Sequence, residues 1–150
     1  MFTDTPDPTL AFLTDIGRTN FSRVILGEIS FTLAGFAVGR GGYLTANPVH
    51  IVPIVPSNTA LDDQFFPTVG TRKPFELLEF PTPKTIVANY RLASTEALAG
   101  LGELGIWGKI IHSTVSPLEV NTEFLLGIAH FPIVSKNLRQ AIVYRVIIQF

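Results

Sequence analysis

The sequence contains no cysteine. Disulfide scaffolds, thiolate metal sites and cysteine nucleophiles are thereby excluded, and no redox compartment is written into the chain. Charge is scarce as well. Asp, Glu, Lys and Arg make up 15% of the 150 residues, where soluble domains carry about 25%, and the formal net charge is −1. No basic cluster exists to neutralise phosphates, so the electrostatic footprint of a nucleic-acid binder is missing. No apolar run approaches the ~20 residues of a membrane-spanning helix. The opening segment, Met1 to Pro8, is acidic and proline-containing and lacks the basic region of a secretory signal.

Catalytic signatures are equally thin. The three histidines, His50, His112 and His130, are scattered, and none lies in a two-histidine metal motif. His112 and His130, near strand ends, read as packed or surface imidazoles, because a metal centre needs three or four converging ligands. No G-x-S-x-G elbow places a serine nucleophile. Asp62-Asp63 supplies too few oxygens for Ca²⁺ and reads as a solvated loop or helix start. Gly39-Arg40-Gly41-Gly42 follows a strand but matches no phosphate-binding motif, and no helical period follows it, so it reads as a tight turn. The expectation is a protein with no catalytic residue, no cofactor and no metal.

Apolar residues are abundant at 47%, including 12 phenylalanines. So little charge covers an isolated surface poorly, and much of the outside is expected to lie against partner chains. A homo-oligomer or a member of a larger assembly follows.

The length suggests one domain. Residues 1–13 read as an extended arm, with Pro6 and Pro8 as candidate interface residues because proline blocks a helix start. Residues 14–150 read as a single mostly-β domain. Thr14 or Asp15 caps an amphipathic helix over about 15–28, with Leu13, Ile16, Phe21, Val24 and Ile25 at near-helical spacing and Gly27 as its stop. From Ser30 the period changes. Ser30 to Val38 reads as a buried strand. Val49 to Val55 carries Pro53 and reads as an edge strand or connector. Residues 57–73 read as loop, and Phe75 to Phe80 as a short strand closed by Pro81. Ile86, Ala88, Tyr90 and Leu92 alternate on one face. Leu104, Ile106 and Ile110 share a face on a strand from Leu101 to His112, as do Phe124, Leu126 and Ile128 on one from Glu123 to Phe131. A last strand carries Ile142, Tyr144, Val146, Ile148 and Phe150 inward. The helix-first, strands-after order predicts an α+β, mostly β fold: an antiparallel β-sandwich-like domain with one N-terminal amphipathic helix.

Glu103 stands out in Leu101-Gly102-Glu103-Leu104-Gly105-Ile106-Trp107. Alternation puts it on the face of Gly105 and Trp107, where a carboxylate needs donors. The expected partners are the backbone amides of a neighbouring loop, or an arginine such as Arg72 or Arg91.

Several segments, in this order, resemble the N-terminal domain of phage tail-collar fibre proteins. They are Thr14-Asp15-Ile16-Gly17-Arg18 at a helix start, Phe31 to Gly39 leading into the glycine turn, and Asn58-Thr59-Ala60-Leu61. Gly102 to Trp107 follows, then Leu126-Gly127-Ile128-Ala129 and Pro132 to Lys136. The chain departs from the family pattern at Arg40, where an acidic residue is usual, and in Gly108-Lys109-Ile110-Ile111-His112 after Trp107. The resemblance implies a structural, non-enzymatic virion component of the tail, assembled in the host cytoplasm. A tail or baseplate-to-fibre adaptor fits this length, with other virion proteins as partners and a homo-oligomer, trimeric by analogy, as the working form. Gly39, Gly41, Glu103, Gly105 and Trp107 are its candidate structural and turn residues. Nucleic acid and membrane are not expected partners. Two other readings stay open: a capsid decoration or cement protein gripping its neighbour through the proline arm, and a glycan-binding β module stacking sugars on Trp107 and Tyr43.

Overall fold

Thr14 starts the one α-helix among the described residues. Its side chain accepts a hydrogen bond from the Gly17 amide, satisfying a first-turn donor, and its hydroxyl donates to the Leu125 carbonyl. The helix, α1, spans Asp15–Ile25 and ends where Gly27 turns to φ 75°. It is shorter than the expected 15–28, and Val24 and Ile25 are exposed rather than packed. Ile16 and Phe21 make the contact with the core instead.

The computed structural model describes residues 9–44, 50–68, 70–139 and 141–149. Ten strands are found among them: β1 (Thr9–Leu13), β2 (Ile29–Gly39), β3 (Tyr43–Leu44), β4 (His50–Ile51), β5 (Gln64–Phe66), β6 (Leu77–Thr82), β7 (Thr85–Leu92), β8 (Gly100–Ser113), β9 (Glu123–Ser135) and β10 (Ile142–Gln149). Eight form one curled sheet in the order β5-β2-β8-β9-β1-β10-β7-β6, while β3 and β4 pair separately. The fold is mostly β with one helix, as expected, but the sheet is mixed rather than antiparallel.

The cause is β1. Residues 9–13, expected to be part of an extended arm, form a strand in the middle of the sheet. Thr9 to Ala11 pair in parallel with Val146 to Ile148 of β10, and Phe12 and Leu13 pair antiparallel with Ile128 and Gly127 of β9. One short strand thus joins the two halves of the sheet. Pro6 and Pro8 lie outside the described residues, as do Val49 and Phe150.

The halves curl over a common core that includes Phe36 and Val38 of β2, Tyr90 and Leu92 of β7, Leu104 and Ile106 of β8, and Val146 and Ile148 of β10. Aromatic rings link them: Phe36 meets Tyr90, and Tyr90 stacks on Tyr144 with planes 18° apart. The register of β9 against β8 shifts beside Ile106 and Trp107. Ile128 therefore joins a second cluster, with Ala37, Leu61, Trp107 and Leu125, instead of sharing the face of Phe124 and Leu126. An extra residue in one strand reverses the alternation beyond it. β6 extends through Pro81, which its edge position tolerates because no ladder donor is needed there.

Candidate functional site

The second cluster lies on the other face of β2, β8 and β9, and the loop leaving β4 crosses it. The Asp15 amide of α1 donates to Pro56 of that loop, and Ile54 and Leu61 pack onto the cluster. Glu103 sits beneath the loop with a side chain 1% exposed. Its Oε1 accepts from the Asp63 amide at 2.8 Å and its Oε2 from the Asp62 amide at 3.1 Å. The partners are thus loop amides; Arg72 bonds to Glu123 instead.

The glycine turn makes this approach possible. A Cβ at Gly39 would collide with Oε1 of Glu103, and one at Gly41 would stand 2.7 Å from the Asp62 Cβ and 2.8 Å from Glu103 Oε1. Side chains at either position would push the turn off the carboxylate. Arg40, between them, reaches outward to pair with Asp63. Gly105 likewise leaves room for the Trp107 ring. Gly39, Gly41, Glu103, Gly105 and Trp107 therefore share one side of the sheet.

Trp107 is 4% exposed, and the Arg72 guanidinium lies over its ring, 3.7 Å from the centroid. Burial depresses Arg72 below the usual guanidinium range, with the Glu123 carboxylate acting against the shift. The ring face required for sugar stacking is occupied by the protein's own cation.

His130 comes to the same place from β9. Its Nδ1 lies 2.7 Å from the Val52 carbonyl oxygen, which only accepts, so Nδ1 carries the hydrogen. Nε2 then points toward Glu103 Oε2, 3.9 Å away and beyond hydrogen-bond reach. Asp62 completes the group: one ligand-type atom from each of Asp62, Glu103 and His130 lies within 4.8 Å of the others. Burial pushes the Glu103 carboxyl above the ordinary carboxylate range. The Asp63 and Asp62 amides oppose that shift, the Asp62 charge adds to it, and His130 opposes it. An apolar cleft of about 370 Å³ opens beside His130, lined by Phe12, Ile51 and Ile54 among others.

In the sequence, Asp62, Glu103 and His130 stand apart, and each reads on its own as a packing or surface residue. No spacing motif joins positions 62, 103 and 130. Only the β8–β9 register, which sets Glu103 opposite His130, and the overlying loop bring them together. His112 lies near the far end of β8, paired with Ser30, and has no part in the group.

A second polar group ties the end of β9 to the turn after β7. Lys136 is 4% exposed and donates from Nζ to the Ser94 carbonyl at 3.2 Å. Glu96 accepts from Lys73 and from the Ala93 amide. Burial works against the Glu96 charge, yet these bonds and the charges of Lys73 and Lys136 hold its carboxyl below the usual range. The pattern is a half-buried structural tie.

Comparison with family models, with curated proteins and with solved structures finds no match. Among the described residues, no helix is long and apolar enough to cross a membrane.

Proposed function

We propose that this chain is a non-catalytic structural component of a virion, a tail or baseplate-to-fibre adaptor that works through protein–protein contacts as a homo-oligomer, trimeric by analogy with tail-collar fibre proteins. The curled β body, read as sandwich-like, serves as a rigid block in this role. The ordered series of segments resembling the tail-collar fibre domain supplies the virion assignment.

The observation carrying the assembly part is the free edge of the sheet. β6 is one of the two outermost strands and, among the described residues, pairs only with β7, and all six of its residues are exposed. Three of them are large and apolar: Leu77 at 49% exposure, Leu78 at 40% and Phe80 at 70%. An edge strand facing water is ordinarily blunted by charge, proline or a bulge, and here Glu79, Pro81 and the register shift between Glu79 and Thr82 protect only the second half of the strand. Pro81 withholds an amide from any added strand, so the fit is to side-chain packing against an apolar partner surface.

Light scattering on the purified protein and on a Leu78→Lys/Phe80→Lys variant tests this. The expected result is an oligomeric parent and a folded variant of lower mass. A monodisperse parent monomer at micromolar concentration that also fails to bind isolated tails or baseplates would overturn the reading. Labelled particles imaged in negative stain locate the chain: label on the tail supports the adaptor, and label on the head supports the cement protein.

A further inference from the structure

The group of Asp62, Glu103 and His130 presents a problem of unlike numbers: several acceptors converge on one point with few donors. Both Glu103 oxygens receive one amide each and keep a second lone pair. An Asp62 oxygen receives the Asn58 side-chain amide at 3.2 Å. The His130 side chain is 6% exposed, its Nδ1 hydrogen is committed to Val52, and its Nε2 faces the carboxylates without a hydrogen bond among the described residues. A backbone carbonyl holding the far nitrogen fixes both the tautomer and the ring plane, which is how metal-binding histidines are ordinarily oriented.

We propose that Asp62, Glu103 and His130 form a binding site for a divalent first-row transition-metal ion, with Zn²⁺ as its representative. One imidazole nitrogen and two carboxylates are a donor set for such ions. Ca²⁺ prefers six to eight oxygens, which these three side chains do not supply. Ligands about 2.1 Å from a tetrahedral ion stand roughly 3.4 Å apart, so Glu103 Oε2 and His130 Nε2, now 3.9 Å apart, need to close by about half an ångström. Water takes the fourth position. The metal joins three parts of the fold: His130 brings β9, Glu103 brings β8, and Asp62 brings the loop whose amides already hold Glu103. Its role is to fasten that loop to the sheet, with the glycine turn packed against the same carboxylate.

The inference is independent of the virion reading, because it concerns only what binds beneath the loop. The test uses chelator-treated full-length protein titrated calorimetrically with ZnCl₂ and separately with CaCl₂. Thermal melts follow stability, and CoCl₂ absorption in the visible reports ligand geometry. The expected result is one Zn²⁺ per chain, Ca²⁺ at least tenfold weaker, a melting temperature that climbs with Zn²⁺, and a Co²⁺ band displaced by Zn²⁺. Asp62→Asn is the main variant, because the exposed side chain is changed while its backbone amide still holds Glu103. It should stay folded and bind Zn²⁺ at least tenfold more weakly. His130→Gln, checked for folding by circular dichroism, should abolish the Co²⁺ band. A parent that takes up no Zn²⁺ at 100 µM (about −5.5 kcal/mol at that Kd) overturns the site. So does undiminished Zn²⁺ binding in folded Asp62→Asn and His130→Gln proteins, since the metal then sits elsewhere, for example on His50 or His112.

Discussion

The rings of Phe36 and Tyr90 meet with centroids 4.0 Å apart, although β2 and β7 are separated in the sheet by β8, β9, β1 and β10. The curl of the sheet closes at this contact. Both side chains are fully buried. Phe36→Ala leaves a cavity where the two halves meet and should cost about 3–5 kcal/mol. Urea denaturation measures it; a loss below about 1 kcal/mol would show that the halves do not depend on this contact.

The hydroxyls of Tyr90 and Tyr144 are buried and have no hydrogen-bond partner among the described residues. A buried hydroxyl without a partner is a cost, so Tyr90→Phe should leave the melting temperature unchanged or raise it. Burial also pushes the Tyr90 phenol well above its ordinary range, and burial raises Tyr144 too. A raised folded pKa means that the unfolded chain releases the proton first. The contribution is therefore fully present below about pH 10, the unfolded value, and is lost as pH climbs from there toward the folded pKa values. Melting temperatures should fall from about pH 10 upward, and less steeply in Tyr90→Phe. Equal slopes in parent and variant would refute this.

Deleting residues 1–13 should abolish cooperative unfolding. The deletion removes β1 from between β9 and β10, leaving two unpaired edges and the buried Ala11 missing from the core. Circular dichroism with thermal melts checks it. A truncated chain melting within a few degrees of the parent would restore the reading of these residues as an arm outside the domain.

Glu103→Ala should cost on the order of 1–3 kcal/mol in metal-free protein, because the amides of Asp62 and Asp63 lose a buried acceptor. Glu103→Gln should cost less, keeping one acceptor oxygen while losing the charge. Gly41→Ala should also destabilise, since its Cβ meets both Asp62 and Glu103. Chemical denaturation of the three variants ranks them; melting at or above the parent's temperature for Glu103→Ala and Glu103→Gln would mean the carboxylate is held for a function rather than for the fold.

The local features are legible from neighbouring residues. Thr14 as a cap, Gly27 as a stop, the alternation of Ile86 to Leu92 and the turn at Gly39 to Gly42 follow from rules that act within a few residues: a side chain reaching an amide, a positive φ, a period of two. Glu103 was legible because a carboxylate among apolar and glycine neighbours has to find donors. The remaining features arise from contacts between segments far apart in the chain. Nothing in Thr9-Leu10-Ala11-Phe12-Leu13 marks it as a central strand, because its partners, β9 and β10, lie more than a hundred residues away and parallel pairing leaves no turn signal. The face of Ile128 turned on a register shift that no alternation reveals. Asp62, Glu103 and His130 became one group only when a loop, β8 and β9 were stacked, since electrostatics acts through space and the positions of charges in a chain do not say which of them will be neighbours.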